Sequence, residues 1–118
     1  MHRAARFLAL ILVALSGVAC GDDGGTGGGG SCADAPTFSE VSAFRVCVSC
    51  HSSGNTSDER SGAPASVNFD THAEASENAD RAARQVSQRK MPPEESGLSI
   101  TNAERAAVSE WARCGAPE

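Results

Sequence analysis

Two cysteines three residues apart, with a histidine directly behind the second, constrain this chain more than anything else in its 118 residues. The stretch is Cys47-Val48-Ser49-Cys50-His51. On a helical turn that spacing brings both sulfur atoms to one side, and the next residue offers an imidazole to whatever the thiols hold. The rest of the chain is poor in the material of ordinary cores. It has four Phe, one Trp and no Tyr, and Phe7 falls in an N-terminal apolar run. What remains to fold is fewer than about ninety residues, a size at which a sparse apolar complement rarely suffices without a staple or a prosthetic group.

C-x-x-C-H is the attachment signature of a c-type haem. The two thiols would form thioethers at one porphyrin edge, and the histidine would swing its ring under the iron. Two other occupations of these residues stand beside it. The four internal cysteines can form two disulfides with no haem, but a redox C-x-x-C belongs with a βαβ pattern, and no strand pattern is visible. A zinc site on Cys47, Cys50 and His51 needs a fourth ligand, and no second C-x-x-C or H-x-x-x-H supplies one.

The N-terminus reads as an export signal over residues 1–19. Arg3 and Arg6 precede an apolar run from Phe7 to Leu15, followed by the small residues Ser16, Gly17 and Ala19. The run is too short to span a bilayer comfortably. Gly17-Val18-Ala19-Cys20 resembles the lipobox of bacterial lipoproteins, with Gly17 where that motif usually carries Leu. It implies Cys20 as a lipidated mature N-terminus, held by lipid on the periplasmic side of a membrane, with ordinary cleavage after Ala19 as the alternative. Gly21 follows it rather than the Asp that retains such proteins at the inner membrane, which favours the outer one. From Gly21 to Gly30 only Asp22, Asp23 and Thr26 interrupt the glycines. Such a segment is a flexible tether with a reach on the order of 20 Å.

Beyond Cys20 the chain carries eight basic and fifteen acidic residues, a formal charge of −7. That excludes nucleic acid and an anionic lipid surface as partners, and suits docking to a basic patch on a partner protein. Cysteine count gives a further expectation. With Cys20 on lipid and Cys47 and Cys50 on haem, Cys32 and Cys114 remain, and a disulfide between them closes nearly the whole folded region. In the chain-entropy treatment a loop of that length contributes roughly 4 to 5 kcal/mol.

Three T-x-x-E capping boxes predict three helices. Thr37 with Glu40 opens one over about Phe38 to Cys50, with Val41, Phe44 and Val48 on one face. Thr71 with Glu74 opens a second over about Ala73 to Arg89. Its stripe of Ala75, Ala79, Ala82, Ala83 and Val86 allows close approach to a flat partner, and Arg81, Arg84, Arg89 and Lys90 suit the negative end of the helix dipole. Thr101 with Glu104 opens the third, Asn102 to Arg113, with Gly115 as the residue that ends it. Trp111 on this helix is expected against Phe38, Val41 and Phe44. Ser52 to Val67 reads as loop.

Met91-Pro92-Pro93 stops the second helix. Met91 is the one methionine outside the export signal, and a thioether on a proline-stiffened loop suits the sixth position of a haem iron. His72 is the rival ligand, an iron with an open sixth position is the third option, and a methionine filling a core gap is the plain one.

Taken together, residues Ser31 to Glu118 resemble the small mono-haem cytochromes c, in particular lipid-anchored forms. The residues that carry the likeness are Cys47 to His51, Met91-Pro92-Pro93 and the closing Trp111 to Pro117. The resemblance implies an all-α fold of about three helices around one covalent haem, with the terminal helices crossing. It implies Cys47 and Cys50 as attachment residues, His51 as proximal ligand and Met91 as distal ligand. Gly62-Ala63-Pro64 sits where many of the family have a proline whose carbonyl accepts the proximal histidine N–H, and a plain turn is the other reading of these residues. Arg60 is expected at a haem propionate or in solvent, and Phe69 at the haem edge. The function implied is one-electron carriage, not enzymatic turnover. A five-coordinate sensor or peroxidase-like enzyme, and a haem-free disulfide-stapled lipoprotein, are the alternatives.

Overall fold

All three helix starts expected from T-x-x-E boxes are present in the computed structural model, which describes residues 30–118. The expected export signal over 1–19, the expected lipid site at Cys20 and the glycine-rich segment up to residue 29 lie outside the described residues. Four α-helices follow in order: α1 (Ala43–Cys47), α2 (His72–Glu77), α3 (Ala79–Ser87) and α4 (Asn102–Arg113). Single 3-10 turns stand at Cys32–Asp34, Phe38–Glu40 and Glu94–Ser96. Among the described residues there is no strand, so this part of the chain is all-α. None of their helices is long and apolar enough to cross a membrane.

Two of the three expected helices are broken, each for a visible reason. The Thr37–Glu40 box starts only a 3-10 turn, with the Glu40 carboxylate accepting from Thr37 N–H at 2.8 Å. Val41 then leaves the helical region at φ −77°, ψ 86°, and its side chain is buried in the core. The chain turns again only at Ala43, where α1 begins. The second break is Asn78, at φ −107°, ψ 8°. Its side-chain amide donates to the Glu74 carbonyl at 2.9 Å. That local bond competes with regular helix and separates α2 from α3. The helix over Asn102–Arg113 has the expected bounds, and Gly115 beyond it takes a left-handed φ of 82°.

The core forms where the two ends of the domain meet. Trp111 of α4 is fully buried, and its ring centre lies 4.9 Å from that of Phe44 on α1. Phe44 in turn stacks on Phe38 at 5.3 Å and on Phe69 at 5.5 Å. Trp111 Nε1–H donates to Pro117 O at 2.8 Å, and the same carbonyl accepts Phe38 N–H at 3.0 Å. One carbonyl thus ties the C-terminal tail to both ends of the fold. Cys32 and Cys114 are joined by a disulfide, with Cα atoms 5.4 Å apart, as their count predicts. Arg113 adds a bond to Gly30 O at 2.7 Å, so the described chain begins at the C-terminal end of α4. Helix α3 packs along α4.

Candidate functional site

The site begins where α1 ends. Cys50 N–H and His51 N–H both return to the Cys47 carbonyl, at 3.2 and 2.9 Å, curling the motif into one tight turn. Cys47 and Cys50 are free thiols. Burial pushes the Cys47 thiol up to about 11, so it stays protonated at neutral pH.

His51 is fixed from two directions. Its ring stands edge-on to Phe69, with centres 5.6 Å apart and planes at 82°. Its Nδ1 lies 3.0 Å from Val67 O. A carbonyl only accepts, so Nδ1 carries the hydrogen and Nε2 carries the lone pair. Burial pulls the imidazole pKa below 6.5; the Val67 bond opposes that shift and the Arg60 charge adds to it. A neutral ring with Nε2 unprotonated is the metal-binding form of histidine.

Two cavities, of about 440 and 450 Å³, lie against this ring. Cys47, His51, Pro64, Val86 and Met91 line both, so the two are halves of one slot. Phe69 and Ala82 extend the first half and Arg81 and Arg84 border it. Cys50, Pro92, Pro93, Leu98 and Ile100 extend the second. The walls are mainly apolar, as in pockets that hold a sizeable organic group. The Ala82 and Val86 end of the expected α3 stripe faces this slot, while Ala75 and Ala79 are buried in the core.

Met91 reaches the slot from the opposite side in sequence. Its N–H donates to Gln85 O at 3.3 Å and its carbonyl accepts from Arg105 at 2.9 Å. His72, the rival ligand, lines neither half of the slot. Its Nε2 lies 2.7 Å from Ala116 O and 3.0 Å from Ser76 Oγ, and its ring packs edge-on against Phe38 and Trp111. It fastens the C-terminal tail instead.

In the loop, Gly62-Ala63-Pro64 follows the plain-turn reading, with Ala63 N–H on Arg60 O at 2.8 Å, and the expectation for Arg60 is corrected. The carbonyl that fixes the His51 ring is Val67, not Pro64, whose oxygen accepts Val67 N–H and the Arg60 guanidinium. Arg60 is neither solvated nor directed at an external carboxylate, although it borders the second half of the slot. It is 7 % exposed. It donates to the carbonyls of Ser52, Ala63, Pro64 and Val67 and to Asn68 Oδ1. Ser52 to Val67 is a loop as expected, but an ordered one. Thr56 and Glu59 repeat the capping-box bonds inside it, at 2.7 and 2.9 Å. That fourth T-x-x-E was legible in sequence; the Arg60 clamp and the Arg105 contact carry no local signal.

Among the described residues no three His, Cys, Asp or Glu side chains are grouped to hold a metal ion. No protein-family model, curated protein or solved structure matches the chain.

Proposed function

We propose that this protein is a one-electron carrier or relay holding one covalently attached c-type haem, with His51 and Met91 as its axial ligands. The observation that supports the reading best is one of convergence. The motif thiol of Cys47, an imidazole with Nε2 free and the one thioether of the described residues all line the same apolar slot, with Cys50 at its second half. That donor set is the one a c-type haem with His/Met ligation uses.

In this reading Cys47 and Cys50 bond the porphyrin edge and keep it through export. Val67 O holds the His51 ring by Nδ1–H, which would leave Nε2 to bind the iron. Phe69, Ala82, Val86 and Ile100 would exclude water from a bound haem. Arg81 and Arg84, both exposed on α3 beside the slot, offer positive charge to the carboxylates that a haem carries. Haem so ligated supplies reversible one-electron chemistry, and with both axial positions filled by protein there is no open position for a substrate. The polypeptide's own task is then to position, insulate and tether. Lipid on Cys20 and the glycine-rich segment would hold it on the periplasmic side of a membrane, with the outer membrane favoured. The formal charge of −7 beyond Cys20 suits a redox partner that presents a basic patch.

The test is the absorption spectrum of protein made alongside the cytochrome c maturation machinery. A low-spin c-type spectrum is expected, with a sulfur-to-iron charge-transfer band in the oxidised form that M91A abolishes. A high-spin spectrum that shifts with low cyanide or carbon monoxide would point to a sensor or enzyme, and no Soret band at all would end the haem reading.

A further inference from the structure

Met91 sits on a stretch that cannot hold itself. Pro92 and Pro93 have no backbone N–H, so the two residues after Met91 give no donor to any ladder. Before it, Arg89 turns the chain at a left-handed φ of 57°. Lys90 N–H and Met91 N–H then both fold back onto Gln85 O, at 2.9 and 3.3 Å. The next backbone bond after the prolines is Ser96 N–H to Pro93 O, at 3.1 Å. Between these points one contact fixes the path. Arg105, on the second turn of α4, donates from Nη1 to the carbonyls of both Val86 and Met91, each at 2.9 Å.

Both acceptors matter. Val86 is a wall of the slot and lies in the last turn of α3, where its carbonyl also accepts Arg89 N–H at 3.1 Å. Met91 is the residue that must reach across the slot. A single guanidinium nitrogen therefore fixes the distance between one wall of the slot and the loop facing it. Arg105 Nε is buried and has no hydrogen-bond partner among the described residues, so within this structure the guanidinium is engaged through Nη1.

We propose that Arg105 is the positioning residue for the sixth ligand: its bonds to Val86 and Met91 hold the Met91 thioether on the iron. This rests on His51/Met91 ligation of a c-type haem. Arg105 touches neither iron nor porphyrin in this role; it acts through the Met91 backbone.

The experiment compares haem-loaded wild type, R105Q, R105K and the charge-matched R45Q, whose arginine is exposed on α1 and far from this contact in sequence. The readouts are the sulfur-to-iron band and the affinity of the oxidised protein for imidazole, which competes with the thioether. Loss of charge-assisted bonds to two carbonyls should weaken the band in R105Q and tighten imidazole binding by about tenfold or more. R105K keeps a charged donor without the planar fork, so it should fall between R105Q and wild type, and R45Q should match wild type. If R105Q does not accumulate with haem, R105K carries the test, with imidazole binding expected to tighten by about threefold. An intact band and unchanged imidazole affinity in the Arg105 variants overturn this proposal alone. A wild-type protein that lacks the band, with M91A unchanged from it, overturns the ligation reading beneath it.

Discussion

Arg60→Met removes the guanidinium that gathers the Ser52–Val67 loop while keeping most of its apolar stem. The expected loss follows from which acceptors are left without a partner. Ser52 O still accepts Asn55 N–H at 3.1 Å, Pro64 O still accepts Val67 N–H at 3.0 Å, and Val67 O still accepts the His51 ring. Ala63 O and Asn68 Oδ1 have no donor other than Arg60. Two stranded acceptors at roughly 1–3 kcal/mol each, partly rescued by water at a loop surface, give an expected loss of about 2–4 kcal/mol. The measurement is denaturant unfolding of the purified protein, with the slope compared between variants to confirm that the same surface is exposed. A loss below about 0.5 kcal/mol, the range of ordinary surface substitutions, would refute the clamp.

Two further predictions concern the frame. Replacing Cys32 and Cys114 by serine opens a loop with a sequence separation of 82, and should lower stability by about 4–5 kcal/mol at most; non-reducing peptide maps that show two free thiols in the wild type would refute the bond itself. Glu104 is held below the ordinary 4.5 by Thr101 N–H, then by the Ser42 hydroxyl and the Thr101 hydroxyl, and Asp70 below 3.8 by Ser52 Oγ–H and Ser53 N–H. A carboxylate with a lowered folded pKa stabilises the fold above its unfolded value and stops doing so as pH falls through its folded value. E104Q with D70N should therefore lose less stability than wild type on acidification from pH 5 to about 2.5, and parallel thermal midpoints would contradict this.

Capping chemistry was the part of the fold most readable from residues alone, because a box needs only two side chains at fixed spacing. It marks where a helix starts and says nothing of where it stops. Val41 and Asn78 both end helices early, the first by turning a β-branched side chain into the core and the second by bonding its amide to Glu74 O. The T-x-x-E at Thr56 to Glu59 starts no helix, since no apolar periodicity follows it to give a helix a buried face. The site divides along the same line. Cys47, Cys50, His51 and Met91 announce themselves by chemistry and spacing, and the structure brings all four to one slot. Val67, Arg60 and Arg105 do not. Each acts through backbone carbonyls, which every residue carries, so nothing in their sequence neighbourhood distinguishes them from solvated arginines or an ordinary valine.

The placement of the apolar residues explains how so small a domain can be built this way. The aromatic cluster of Phe38, Phe44, Phe69 and Trp111 gathers at the crossing of the chain ends, where the disulfide closes it. The opposite half has no ring of its own to bury. Phe69 and Val86 belong to both halves: each is less than a tenth exposed and each also lines the slot. The wall between core and slot is thus one side chain thick. Whatever occupies the slot packs directly against residues that the aromatic cluster needs in place, so occupancy adds to fold stability. Covalent attachment through Cys47 and Cys50, as proposed above, would make that contribution permanent, which a non-covalent group would not.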